Sequence, residues 1–157
     1  MALILDLVQN MVSALTTGET PLFQTNQCFY AFDAEASLAY PPNDQFVVVC
    51  PTNISVKERC WQGNNEINYI YNANFTLHLF TRLATDQSHQ DYLWLMDQTY
   101  GSIQLVDQIV SLFQDYISAD NFGYTLDGIN WSPKDKSSIG WSDTLMMYHS
   151  DIIGRSA

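Results

Sequence analysis

Basic residues are scarce. Six lysines and arginines face seventeen aspartates and glutamates, a formal net charge of −11 at pH 7. A surface so charged repels phosphate, which argues against sequence-nonspecific nucleic-acid binding and against attachment to anionic lipid. The acids are spread from Asp6 to Asp151 rather than gathered into a tail. They suit a wall along which DNA slides without being held. Cysteine is also sparse. Cys28, Cys50 and Cys60 cannot all pair within one chain and contain no CxxC, so the pattern reads as buried free thiols in a reducing compartment. No apolar run approaches the ~20 residues that span a bilayer. The start, Met1 to Asp6, lacks the basic segment and cleavage site of a secretory signal. Cytosolic synthesis follows, and it makes the Asn-x-Ser/Thr triplets at Asn53, Asn74 and Asn130 chance occurrences.

Catalytic motifs are missing too. There is no GxSxG, no P-loop and no GxGxxG, and the seven glycines are scattered. The nearest approach to a metal site is Asp86, His89 and Asp91, three potential ligands within six residues. Polar loops produce that combination often, and a hydrolase would have to draw its acids from it. His78, on the polar side of an alternating stretch, and His149 read as solvated imidazoles on a sheet face. No catalytic residue, cofactor or bound metal is expected.

Aromatic side chains are plentiful: nine tyrosines, eight phenylalanines and four tryptophans in a chain that is 46% hydrophobic. At 157 residues the chain fits one α+β domain spanning 1–157, long enough to bury roughly 70% of its unfolded surface. Only 15% of residues are charged. An exterior rich in aromatics and amides is either neutral or meant to be covered by a partner.

Periodicity supplies the elements. Ile4, Leu7, Val8, Met11, Val12 and Leu15 recur at helical spacing within 2–17, with Gly18 as the stop. Its polar face has no Lys or Arg, so it reads as a helix packed on a sheet rather than on a membrane. Residues 27–32 predict a strand, followed by a polar stretch ending in the breaker Pro41-Pro42-Asn43-Asp44. Residues 45–50 (QFVVVC) predict a strand covered on both faces. Pro51 is expected to end it, and 52–65 to form a long loop or hairpin tip. The alternation of Ile67, Tyr69, Tyr71, Ala73, Phe75, Leu77 and Leu79 with mostly polar neighbours predicts one long strand over 66–82, long enough to project beyond the domain. A capping-box pattern at 88–91 starts a short helix to Met96. Ile103, Val106, Ile109, Val110, Phe113 and Ile117 form a second helical stripe with Ser102 as its N-cap. Residues 124–131 and 139–149 flank a turn-rich stretch and predict a long C-terminal β-hairpin. The expected order is α-β-β-β-α-β-β: a mixed or antiparallel sheet packed by two main helices.

Two residue groups stand out as contact candidates. Lys57 and Arg59 fall in one expected loop and Lys134 and Lys136 in another, so four of six cations occupy two tips. A basic tip can dock on the acidic surface of an identical neighbour; lysines that merely solubilise turns are the plain alternative. Trp61, Trp131 and Trp141 fall in or beside loops, whereas Trp94 looks like core. They read as interface anchors, or else as an aromatic platform in a monomeric ligand- or carbohydrate-binding module.

The order of elements, together with the strand end Leu77-His78-Leu79-Phe80-Thr81-Arg82-Leu83 and the helix entry Tyr100-Gly101-Ser102-Ile103-Gln104-Leu105-Val106-Asp107-Gln108-Ile109-Val110, resembles the tail-terminator family of tailed bacteriophages, and more loosely other neck proteins. The resemblance covers nearly the whole chain; the long 19–44 region and the long final hairpin depart from the family's simplest form. It implies a virion protein, assembled in the host cytoplasm, that forms a hexameric ring. The ring would cap the tail tube and join tail to head beside sheath and head-completion or connector proteins. DNA would only pass through its lumen, and no membrane is involved. No catalytic residues carry over.

Overall fold

In the computed structural model, residues 3–62, 66–82, 102–116, 123–133 and 141–155 are described. Helix α1 (Leu3–Thr16) precedes a short strand β1 (Cys28–Tyr30), a 3-10 turn (Glu35–Ala39) and the long strands β2 (Gln45–Gln62) and β3 (Glu66–Arg82). Helix α2 (Ser102–Gln114) then leads to β4 (Thr125–Pro133) and β5 (Trp141–Arg155). The strands form one mixed sheet in the order β1-β2-β3-β5-β4. Only β1 and β2 run parallel; the other neighbours are antiparallel. The α+β class and the expected order of elements are those observed. The short helix expected over 88–96 lies outside the described residues.

The helices form because each has one apolar stripe to bury. Leu7, Met11 and Leu15 of α1 are fully buried, and Val8 nearly so. Leu105, Val106, Ile109 and Phe113 of α2 complete the same layer. Ile103, expected in that stripe, is 40% exposed, and Leu105 takes the inward place. Ser102 opens α2, but its buried Oγ has no hydrogen-bond partner among the described residues. At the end of α1, Gly18 adopts φ +111°, the left-handed conformation that favours glycine. The chain then turns back so that the Phe23 N–H donates to the Leu15 carbonyl at 3.1 Å.

Both helices lie on one sheet face, against Val47, Val49, Ala73, Phe75, Leu77, Leu79, Met146 and Tyr148. A second, smaller core sits on the opposite face, where Phe46, Val48, Cys50, Phe80 and Trp141 are covered by the segment carrying Ala34 and Leu38. Strand 45–50 is therefore buried on both sides, as its unbroken apolar run predicts. Residues 35–39, expected as part of a polar stretch, form the 3-10 turn that lids this second core.

Pro51 does not end β2, and 52–62 is not a loop but the far end of the β2–β3 hairpin: the strand continues to Gln62. The Val47 N–H donates to the Gln27 carbonyl and the Val49 carbonyl accepts from the Ala31 N–H, the two residues that flank β1, so Pro51, two positions on, has its missing N–H on the outer side. A proline is tolerated there because no ladder bond is lost. A bulge between Pro51 and Asn53 then re-registers the strand against β3.

Candidate functional site: an apolar groove at the root of a projecting β-arm

The long strands outrun the helices that cover them. From Thr52 to Arg59 every residue of β2 is exposed, in contrast to the fully buried run Phe46–Cys50 just before it. Over this length β2 still pairs with β3 as far as Gln62↔Glu66, and β5 stays paired with β3 as far as Asn68↔Arg155. The result is a three-stranded arm. Its outer strand has an open edge, because β1 pairs with β2 only from Val47 to Val49 and no other described strand flanks it.

The two faces of the arm differ in chemistry. One carries a hydrogen-bonded polar ladder. Lys57 Nζ lies 3.0 Å from Asp151 Oδ2, Asn72 Nδ2 donates to Asp151 Oδ1 at 3.1 Å, and Asn74 Nδ2 donates to Asn53 Oδ1 at 2.7 Å. These bonds hold the Asp151 carboxyl below its usual range, the Lys57 bond contributing most and the Asn72 bond next. The other face, on the helix side, is apolar. Ile54 stands opposite Ala73 and Val56 opposite Tyr71, with Ile54 43% and Val56 56% exposed. The Arg59 guanidinium lies 5.9 Å above the Tyr69 ring, which stacks on Tyr71. Where this face meets the body, β1 has turned away and leaves a groove of about 710 Å³ lined by Leu5, Val8, Tyr30, Phe32, Ile54 and Phe75. Phe32 at its rim is 93% exposed. Apolar side chains thus run from the groove out along the arm, the kind of surface that marks a contact site.

Charge is divided along the same boundary. Residues 52–72 and 151–155 hold Lys57, Arg59 and Arg155 against Glu58, Glu66 and Asp151, a balance of zero. The other three cations and fourteen acids carry the whole −11.

The expected contact residues are distributed as follows. Lys57 and Arg59 sit on the arm, within strand rather than on a loop tip. Trp61 is also in β2. Trp131, on β4, is 54% exposed. Trp141 is not a loop residue: it opens β5, is 9% exposed, and meets Phe46 edge-on at 5.5 Å. Trp131 stands opposite Thr144 on the helix side while Trp141 belongs to the core on the other face, so the two form no common platform. Lys134 and Lys136 lie outside the described residues, as do Asp86, His89 and Asp91.

Both described histidines depart from the solvated-imidazole expectation. His78 Nδ1 is 3.1 Å from the nearer Asp143 oxygen, and that carboxylate is only 3% exposed. His149 Nδ1 lies 2.7 Å from Asp127 Oδ1. Each pair ties neighbouring strands, β3 to β5 and β5 to β4. The two described thiols, Cys28 and Cys50, are not activated. Burial pushes Cys28 up to about 12, and burial followed by the Asp33 charge pushes Cys50 up to about 11. Among the described residues no three His, Cys, Asp or Glu side chains converge to hold a metal ion, and no helix is long and apolar enough to cross a membrane.

No protein-family model matches the chain, and no curated protein matches it significantly.

Proposed function

We propose that this chain is a structural assembly protein that binds other copies of itself and forms a ring at a phage neck, capping the tail tube and joining tail to head. The observation that carries the reading is the arm: a paired, three-stranded extension with an exposed apolar face, an open edge and no net charge, on a body of charge −11. Open strand edges are ordinarily blunted or covered, because they pair with other chains. An apolar face that neither described helix covers is explained most simply by a neighbour that does. The phage assignment comes from the resemblance in element order and in residues 77–83 and 100–110; the geometry supports self-assembly in general. Mechanism in this reading is binding alone, through strand addition and aromatic contacts. An acidic body would line a passage that does not retain DNA.

The test is to add purified protein to tail tubes of the same particle and image them by electron microscopy. A ring of density at one end, with tube growth arrested, is the expected result. Tubes that stay open and keep growing would rule the reading out.

A further inference from the structure

We propose that the open edge of β2 beyond Thr52 receives the outer edge of β4 from a second copy of this chain, so that one sheet continues into the next. This rests on the self-assembly reading and names the surfaces that carry it.

The groove and arm set the requirement. An occupant beside β2 must offer backbone donors and acceptors as well as apolar side chains, because a strand edge presents unpaired N–H and C=O groups. A lipid or a sugar does not satisfy a row of both. An extended peptide does.

The second edge of the same sheet fits. β4 is the terminal strand on the far side, paired only to β5 among the described strands. It has nine residues, Thr125–Pro133, about 30 Å at the usual rise, and the unflanked stretch Thr52–Gln62 is long enough to take all of it. β4 also carries Trp131, 54% exposed and on the helix side. The groove and the apolar face of the arm lie on the helix side of the receiving chain. Tryptophan is the side chain most enriched among interface anchors.

Charge disfavours the pairing of two β4 edges and permits this one. β4 holds Asp127 as its one charged residue, so two β4 edges set acid against acid. On β2, Lys57 is already bonded to Asp151, and Glu58 and Arg59 balance each other, so its edge does not repel β4. Bodies of charge −11 repel each other, so the neutral arm is the part that can approach a neighbouring body. The pairing joins two different surfaces. It is therefore head-to-tail, the contact type that closes rings when its rotation permits and gives filaments otherwise.

Cross-linking tests this directly. Two proteins are made in a Cys60→Ser background, which leaves the buried Cys28 and Cys50. One carries Ser55→Cys or Glu58→Cys on β2, the other Asn130→Cys on β4. They are mixed, treated with a short bis-maleimide, and followed by light scattering. A covalent dimer in the mixture, absent from either protein alone, is expected. Trp131→Ala should weaken self-association at least tenfold while leaving the fold, read by circular dichroism, intact. Self-association without any cross-link, or with undiminished affinity in Trp131→Ala, overturns this pairing and leaves the self-assembly reading standing. No self-association at any concentration overturns both.

Discussion

Lys57 on β2 and Asp151 on β5 form an ion pair at 3.0 Å across the intervening β3, and Asn72 of β3 donates to the same carboxylate. All three strands of the arm are clamped at one point. The arm is thereby a built element rather than three frayed ends.

Acid should loosen that clamp. The Asp151 carboxyl is held below its usual value when folded. Its contribution is therefore present above the unfolded value and is lost as pH falls through the folded one. Hydrogen exchange of the arm amides should speed up in acid relative to the body, and Asp151→Asn should remove that difference. The pair is exposed, so Asp151→Asn should change global stability by less than about 1 kcal/mol.

The second core should matter more. Phe46 is fully buried between Phe29, Phe80 and Trp141. Phe46→Ala should destabilise by about 3–5 kcal/mol, read as a shift in the urea midpoint at unchanged slope.

Two buried tyrosines should respond in opposite ways. The Tyr124 hydroxyl donates to the Leu7 carbonyl at 2.6 Å, tying α1 to the start of β4. The Tyr148 hydroxyl is buried without a partner among the described residues. Tyr124→Phe should cost about 1 kcal/mol, while Tyr148→Phe should be neutral or stabilising. Thermal unfolding of the two variants checks the sign.

The buried thiols should be inert. With Cys28 raised to about 12 and Cys50 to about 11, both stay protonated at pH 8, and the thiolate is the reactive form. Iodoacetamide followed by peptide mass mapping should leave both unmodified in the native protein and label both in denaturant.

Much of the fold was legible because it depends on local period. The stripe Leu7-Met11-Leu15, the unbroken run at 46–50 and the alternation over 73–79 each bury the faces their spacing implies. What was missed depends on partners far away in sequence. Pro51 and the polar residues after it look like a loop, because the alternation of Ile54 and Val56 with Asn53, Ser55 and Lys57 is too short to outweigh the proline; pairing with β3 makes it strand. Trp141 looks like a loop side chain until β5 is set beside β3 and Phe46 reaches it. His78 and Asp143 are 65 positions apart, so no spacing rule joins them. Lys57 and Arg59 look like the tip of a loop from their neighbours in sequence, and the neutral arm around them became visible only when Arg155 was placed at the end of β5.

The most direct measurement is the mass of the protein by light scattering over a concentration series, for the native chain and for Val56→Glu. Val56 is exposed on the apolar face of the arm, so the substitution should not disturb the core. The native chain should rise to a multiple of the single-chain mass while Val56→Glu stays single. Equal association of the two proteins, or a native chain that never associates, would contradict the arm's role as the contact surface.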